Sequence, residues 1–306
     1  MFKKYFVILS AKKCGCNLNY CLLLQQTIKP KLIMSEKSFI VPHDFSEVAD
    51  CALNHAITTA KVVGAEVFVL HVVAKEKAIK DAEKKLKELI EKKGKVDVKL
   101  TPKIRVGNIF DDIGDFAAEH HAELIFMGTH GASGWQHIAG SHALKVVTHS
   151  SVPFIIVQQK EVGENGYDDI VVPLDLNKET KQKLAIVASM AKYFKSRVHV
   201  ITPKESDEFL KHTVQANVKF AKKFFNERNI EMSVTVAPSS GFDKEVVKLA
   251  INKDADLIAI MNQNKSNYLG AFGSNYEQYM ITNDAQIPTL VVNPIETPYG
   301  SSVLFS

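Results

Sequence analysis

The sequence predicts two tandem open α/β units, each with five strands in a parallel sheet and helices on both faces. Three observations predict it. Short apolar runs alternate with helix-length segments, which is the pattern of parallel sheets fed by crossover helices. The pattern occurs twice. Its landmarks recur at near-constant spacing: Asp44 and Asp175 lie 131 residues apart, Gly140 and Gly273 lie 133 apart, and Pro153 and Pro288 lie 135 apart.

The elements of the first copy follow in order. Ser38 to Val41 is a short strand that ends at Pro42. Val48, Ala52, Ala56 and Ala60 recur every fourth residue and mark a helix, with Ser46 placed to cap it. Glu66 to Val73 is an apolar strand, and Glu76 to Lys93 a charged helix. Val96 to Ile104 alternates as a strand does, and Ile109, Ile113, Phe116 and Ala117 stripe the next helix. Leu124 to Met127 and Pro153 to Val157 are buried strands. Between them a glycine-rich loop leads into a helix over Ser141 to His149.

The second copy repeats this. Ile170 to Val172 runs into Pro173, Leu174 and Asp175, as Val41 runs into Pro42, His43 and Asp44. A helix follows on Leu184, Ala188 and Ala191, then a strand from Arg197 to Ile201. Val214, Val218, Ala221 and Phe225 stripe a long helix. Glu231 to Val236 is a strand, and Val246, Ala250 and Ile251 mark a helix. Leu257 to Met261 and Pro288 to Val292 complete the set. Asp175 reads most simply as the cap of its following helix. The last strand of each copy is compact and belongs at a sheet edge. Exposed edges invite pairing, so these two strands are expected to join the copies about a pseudo-two-fold axis.

The boundaries follow. Residues 1–36 read as an irregular extension, 37–159 as the first domain, 160–167 as a polar linker, 168–294 as the second domain and 295–306 as a tail. In the extension the apolar run Tyr5 to Leu9 is short and is followed by Lys12 and Lys13, a poor match to a secretory signal. Cys21 to Leu24 is too short to span a bilayer. Met34, just ahead of the first strand, is a credible start. Of the four cysteines, Cys14, Cys16 and Cys21 lie in the extension and only Cys51 in the folded body. A disulfide scaffold is excluded for that body, and a reducing cytoplasm is the expected setting. A net charge of +4 on 306 residues demands neither nucleic acid nor an anionic membrane as partner.

The chemistry concentrates between Gly128 and Ser141, Gly-Thr-His-Gly-Ala-Ser-Gly-Trp-Gln-His-Ile-Ala-Gly-Ser. The segment follows a strand and opens a helix. Ligands of open parallel sheets sit at the carboxyl ends of strands. Glycines let backbone amides approach a phosphate, and a helix start favours an anion. Ser141 suits either a helix cap or a hydroxyl donor to phosphate. Asp44 faces the same crevice, where a carboxylate accepts hydrogen bonds from a ribose or an adenine.

Pro42-His43-Asp44-Phe45-Ser46, Leu70-His71-Val72 and the loop Met127-Gly128-Thr129-His130-Gly131 through Gly140-Ser141 resemble the universal stress protein family. The resemblance runs from Lys37 to about Pro294 as two family domains. It implies a Rossmann-like fold of the adenine nucleotide alpha hydrolase type, pairing through the last strand, and cytoplasmic stress-response or signalling roles. One branch of the family binds ATP or AMP, and another does not. Carried onto this chain, the resemblance implies Asp44 and Val72 at the nucleoside. Met127, Gly128, His130, Gly131, Gly140, Ser141 and His142 would line the base and phosphates, with Mg accompanying ATP. The ATP-binding branch usually carries one more residue between the second and third loop glycines than the eight here, Ala132 to Ala139. In the second copy Asn262-Gln263-Asn264-Lys265 is read as standing in place of Gly128 to Gly131, and only Gly273-Ser274 is kept. Nucleotide binding is therefore expected in the first domain, with the second as pseudo-dimer partner. The alternative is a nucleotide-free scaffold, and a further homodimer is compatible with either.

Other chemistries find less support. His120, His121, His130, His137, His142 and His149 crowd one region, but no His-x-x-x-His pair with a carboxylate appears. No Gly-x-Ser-x-Gly elbow or Walker lysine is present, so catalysis is not expected beyond slow ATP hydrolysis. Trp135 reads as core packing at the loop base, with cover for the ligand as the alternative. The lysines from Lys84 to Lys95 alternate with Glu88 and Glu91, as on a solvated helix face rather than a nucleic-acid patch.

Overall fold

A computed structural model of the chain describes residues 37–129, 146–148, 150–176, 178–262 and 276–294. β1 (Ser38–Pro42) is buried along its whole length. α1 (Glu47–Val63) starts where Ser46, in extended backbone, accepts the Ala49 N–H, and it stops at Gly64, left-handed at φ 76°. Its buried face carries Val48, Ala52, Ala56 and Ala60. β2 (Glu66–Val73) runs parallel to β1, with Pro42 opposite Leu70. A 3₁₀ turn at Glu76–Ala78 leads into α2 (Ile79–Lys93), which buries only Ala82 and Leu86. Its outer lysines meet acids one turn away, Lys85 with Asp81 at 2.8 Å and Lys84 with Glu88 at 3.9 Å.

β3 (Leu100–Val106) begins four residues later than the alternation from Val96 predicts. Gly94 ends α2 with φ 69°, and the chain needs the next residues to return to β2, which it first meets where Leu100 opposes Val67. β3 is an edge strand, so it tolerates Pro102. α3 (Ile109–Glu119) is capped by the Asn108 side chain, which accepts the N–H groups of Phe110 and Asp111. β4 (Leu124–Gly128), a helical turn at Val146–Thr148 and β5 (Phe154–Val157) complete the first half. The rest of the helix predicted for Ser141 to His149 lies outside the described residues, as does Trp135.

The second half contains β6 (Asp169–Pro173), a 3₁₀ turn at Lys178–Lys181, α4 (Lys183–Phe194) and β7 (Arg197–Lys204). There follow α5 (Glu208–Asn226), β8 (Met232–Pro238), α6 (Phe242–Asn252), β9 (Leu257–Met261), α7 (Tyr276–Ile281) and β10 (Thr289–Val292). Two readings are corrected. Ile251 is 56% exposed, because the buried stripe of α6 runs through Val246, Val247 and Ala250 and leaves Ile251 at its border. Asp175 does not cap α4. A 3₁₀ turn intervenes, and Gln182 occupies the cap position without a side-chain capping bond to the helix start.

Among the described residues the ten strands form one sheet in the order β3-β2-β1-β4-β5-β10-β9-β6-β7-β8, so the order within one half is the mirror of the other. Neighbours within each half are parallel. The halves meet where β5 and β10 pair antiparallel, with Ile155 opposite Leu290. The two predicted sheets are thus continuous, and apolar cores cover both faces.

The segment predicted as a polar linker is tied down at both ends. Tyr167 is fully buried, and its hydroxyl lies 2.8 Å from His55 Nδ1. His55 Nε2 lies 3.0 Å from the Lys160 carbonyl, which can only accept, so Nε2 carries the proton and Nδ1 accepts from Tyr167. Lys160 Nζ donates to the Ala255 carbonyl at 3.2 Å. Cys51 donates to the Lys160 carbonyl, and burial pushes its thiol up to about 12, which leaves it unreactive.

Candidate functional site

The strand order dictates where a ligand fits. The chain leaves β1 toward β2 and β3, then returns to the other side of β1 as β4. A crevice opens at such a switch point, outside the carboxyl ends of β1 and β4. Asp44 lies two residues past the end of β1, and Gly128 is the last residue of β4. The structure therefore brings Asp44 and Gly128 to one crevice, with the ends of β2 and β4 supplying Val72 and Met127. Both of these side chains are buried in the core on one face of the sheet, so they offer a ligand their backbone rather than a side-chain lining. The other predicted site residues, His130, Gly131, Gly140, Ser141 and His142, lie outside the described residues.

The turn after β1 is held unusually tightly. The buried His43 accepts the Phe45 N–H on Nδ1 at 3.0 Å, so its Nε2 carries the proton and points at Asp50 Oδ1, 3.6 Å away. That N–H, with the Lys93 ammonium 3.1 Å from the same oxygen, holds the Asp50 carboxyl below the usual range. The His43 carbonyl accepts from His71 Nδ1 at 2.7 Å. Asp44 Oδ1 accepts both the Ser46 N–H at 3.1 Å and the Ser46 hydroxyl at 2.6 Å. Between these anchors Phe45 takes φ 67°, a left-handed conformation that a bulky side chain adopts only when its surroundings impose it. Its ring lies 4.7 Å from that of His71, centroid to centroid. The result is a fixed orientation for Asp44, with one oxygen committed to the turn.

Gly128 is required by packing. A Cβ there would stand 2.7 Å from the Val48 carbonyl oxygen in the first turn of α1. The helix start and the end of β4 can meet only over a bare backbone. Thr129, the next residue, is buried and donates its N–H to the Val157 carbonyl at 2.8 Å.

The second half differs at the same place. Asn262 donates its N–H to the Val292 carbonyl at 2.8 Å, the bond that Thr129 makes to Val157. Asn262 is thus the counterpart of Thr129, and the pairing of Asn262 to Lys265 with Gly128 to Gly131 is one residue out of register. Met261, buried, stands where Gly128 stands. Its bulk fits because the helix after β6 begins late, behind the 3₁₀ turn. At the position of Ala52 the second half has Lys183, buried, whose Nζ donates to the Pro173 carbonyl at 2.6 Å and to Thr180 Oγ1 at 3.2 Å. Burial pushes Lys183 down to about 8, against the opposing pull of Asp175. Asp175, Tyr276 and Glu277 are buried as well, and the tyrosine is raised by burial and by the nearby Asp175. The carboxyl ends of β6 and β9 are therefore packed with the protein's own side chains.

The strain at Phe45, the bond from His71 to His43 and the contact of Gly128 with α1 are absent from the sequence reading. A bulky residue between Asp and Ser gives no signal of positive φ, whereas the glycine after Met127 signalled a backbone need without naming its cause. Of the crowded histidines, His120 and His121 are described: His121 is exposed, and His120 stacks on Phe116 at 4.0 Å and donates from Nδ1 to the Phe116 carbonyl. Among the described residues no cluster of His, Cys, Asp or Glu could hold a metal ion, and no helix is long and apolar enough to cross a membrane.

The comparisons agree with this architecture. The model of the universal stress protein family matches residues 36–158. A universal stress protein of Methanocaldococcus jannaschii is 31% identical over 144 residues, covering 40% of this chain and 82% of the relative. Universal stress protein G of Escherichia coli O157:H7 is 23% identical over 141 residues, 40% of this chain and 99% of its own length. The crystal structure of a universal stress protein from Archaeoglobus fulgidus matches both halves in fold, with a TM-score of 0.64 at 20% identity over 84% of this chain and 96% of that one. The chain belongs to the universal stress protein family.

Proposed function

We propose that this chain binds one adenine nucleotide, ATP or AMP, at the switch point of its first half, and that the second half is its built-in pairing partner. The carrying observation is the contrast between Asp44 and Asp175. One half holds an oriented, partly exposed carboxylate at the crevice, and the other buries its counterpart with Lys183 and Tyr276. In the first half Asp44 would accept from the ribose or base. The amides of the glycine loop would receive the phosphates, with Mg present when the ligand is ATP. The reading is of a cytoplasmic stress-response or signalling module, not a catalyst. The described crevice offers a carboxylate to orient a ligand and no base poised to activate water.

A second reading, a nucleotide-free scaffold, draws on the loop of eight residues between glycines and on the filled second half. Titration calorimetry with ATP and with AMP, on protein stripped of carried-over ligand, separates the two. Binding at one nucleotide per chain, weakened about tenfold or more in Asp44→Ala, supports the first. No heat with either nucleotide leaves the scaffold, and two nucleotides per chain overturns the role given to the second half.

A further inference from the structure

The second half carries a groove that the nucleotide reading does not use. It runs between α5 and the end of the sheet and has a volume of about 560 Å³, within the range of small-molecule sites. Its floor is made by Val214 and Val218 of α5 and by Val234 and Val236 of β8. Val236 is 62% exposed, although it sits on an edge strand opposite the buried Thr202. The strand registers explain the opening. Pro42 opposes Leu70 and Pro173 opposes Ile201, so Thr202 is the counterpart of His71 and Leu176 that of Phe45. The packed rings of Phe45 and His71 in the first half are replaced here by the smaller Leu176 and Thr202. Ile104, the counterpart of Val236, packs against the core of its half, and Val236 does not.

The rim is cationic. Lys204, Lys211, Lys219 and Lys222 surround the floor, with Glu205 the sole acid among the lining residues. Lys211 pairs with Glu208 at 3.0 Å. Among the described residues Lys204, Lys219 and Lys222 have no carboxylate within ion-pair distance. Their aliphatic stems extend the apolar floor while their ammonium groups stay in water. An apolar trough edged by unmatched positive charge suits a ligand with one hydrocarbon chain and one anionic head.

We propose that this groove binds a long-chain fatty acid, its chain along the four valines and its carboxylate among Lys204, Lys219 and Lys222. The site is independent of the nucleotide crevice. The test is calorimetric titration of the full chain with dodecanoate below its micelle concentration, beside dodecyltrimethylammonium and acetate. The expected result is one dodecanoate per chain and no measurable binding of the other two. Lys219→Glu with Lys222→Glu should weaken dodecanoate about tenfold, and Val236→Glu should abolish binding. All three positions are accessible, so thermal melting should stay unchanged, and the lysine pair alone decides if Val236→Glu does not fold. Equal binding of the cationic chain, binding of acetate alone, or indifference to the substitutions overturns the proposal. So does a groove that ignores dodecanoate but accepts an acidic amphipathic peptide.

Discussion

Gly128 and Phe45 show how single residues shape the crevice in opposite ways. Gly128 is a glycine because a methyl group would collide with the Val48 carbonyl. Gly128→Ala should therefore cost about 1–3 kcal/mol, read as a lower urea midpoint, and should weaken ATP in the same calorimetric titration. An unchanged midpoint would mean that α1 can retreat, as its counterpart does before Met261. Phe45 is strained and stays so because His43, Asp44 and Ser46 hold the backbone on both sides. Two histidines give the fold a pH signature. Burial lowers His55 and His71 from the ordinary 6.5, so the folded state resists protons that the unfolded chain accepts. Their contribution is complete above about pH 6.5 and is lost as the pH falls through the lowered folded values. The melting temperature should drop below that pH, and His55→Gln should make the drop shallower. A slope that does not change would place the sensitivity elsewhere.

Elements were the most legible part of this molecule, and the reasons are local. Val67–Leu70 and Leu257–Met261 are uninterrupted apolar runs in buried parallel strands, so these strands are written in composition. β3 was misplaced because an exposed edge strand and the loop before it share the same mixed composition. The late start of α4 and the buried Lys183 were invisible, since a lysine near a helix start reads as solvated surface. In the crevice, Asp44 and Gly128 were legible from their positions at strand ends, whereas the turn before Asp44 is also anchored from afar, by His71 on the His43 carbonyl, 28 residues further on. Capping was legible at Ser46. Ser46→Ala should cost about 1 kcal/mol, and more than an ordinary cap if the Phe45 turn relaxes with it. Differential scanning calorimetry measures it, and a loss near zero would show that Asp44 alone sustains the helix start. A less visible device lies just past the last strand of each half. Gln158 donates across to the Asn283 carbonyl at 3.0 Å, beyond α7. Asn293 donates to the Val147 carbonyl and, at 2.7 Å, to that of Ser150, at the end of the helical turn before β5. Each half thus closes a helix end of the other, which ties the helical turn Val146–Thr148 to the second half.

At the scale of the whole molecule, the halves share one hydrogen-bonded sheet, and the strand that joins them is the one each half could least leave exposed. β5 is four apolar residues, Phe154 to Val157, all buried, and its free side is covered only by β10. A first half cut from the chain would present that side as a short apolar edge, ready to pair with any complementary strand. The best complement is its own copy. The antiparallel pairing of β5 with β10 already joins two like strands, and a second β5 can take the place of β10 with the same sense. Residues 37–159 expressed alone should therefore be a homodimer in light scattering after gel filtration. The intact chain should unfold in a single transition, because separating the halves would uncover both β5 and β10 and release the Gln158 and Asn293 contacts at once. A soluble, monomeric first half at micromolar concentration, or two resolved transitions in the intact chain, would show that the halves are stable without the shared strand pair. In that case the second half would be an attached domain rather than a completed edge.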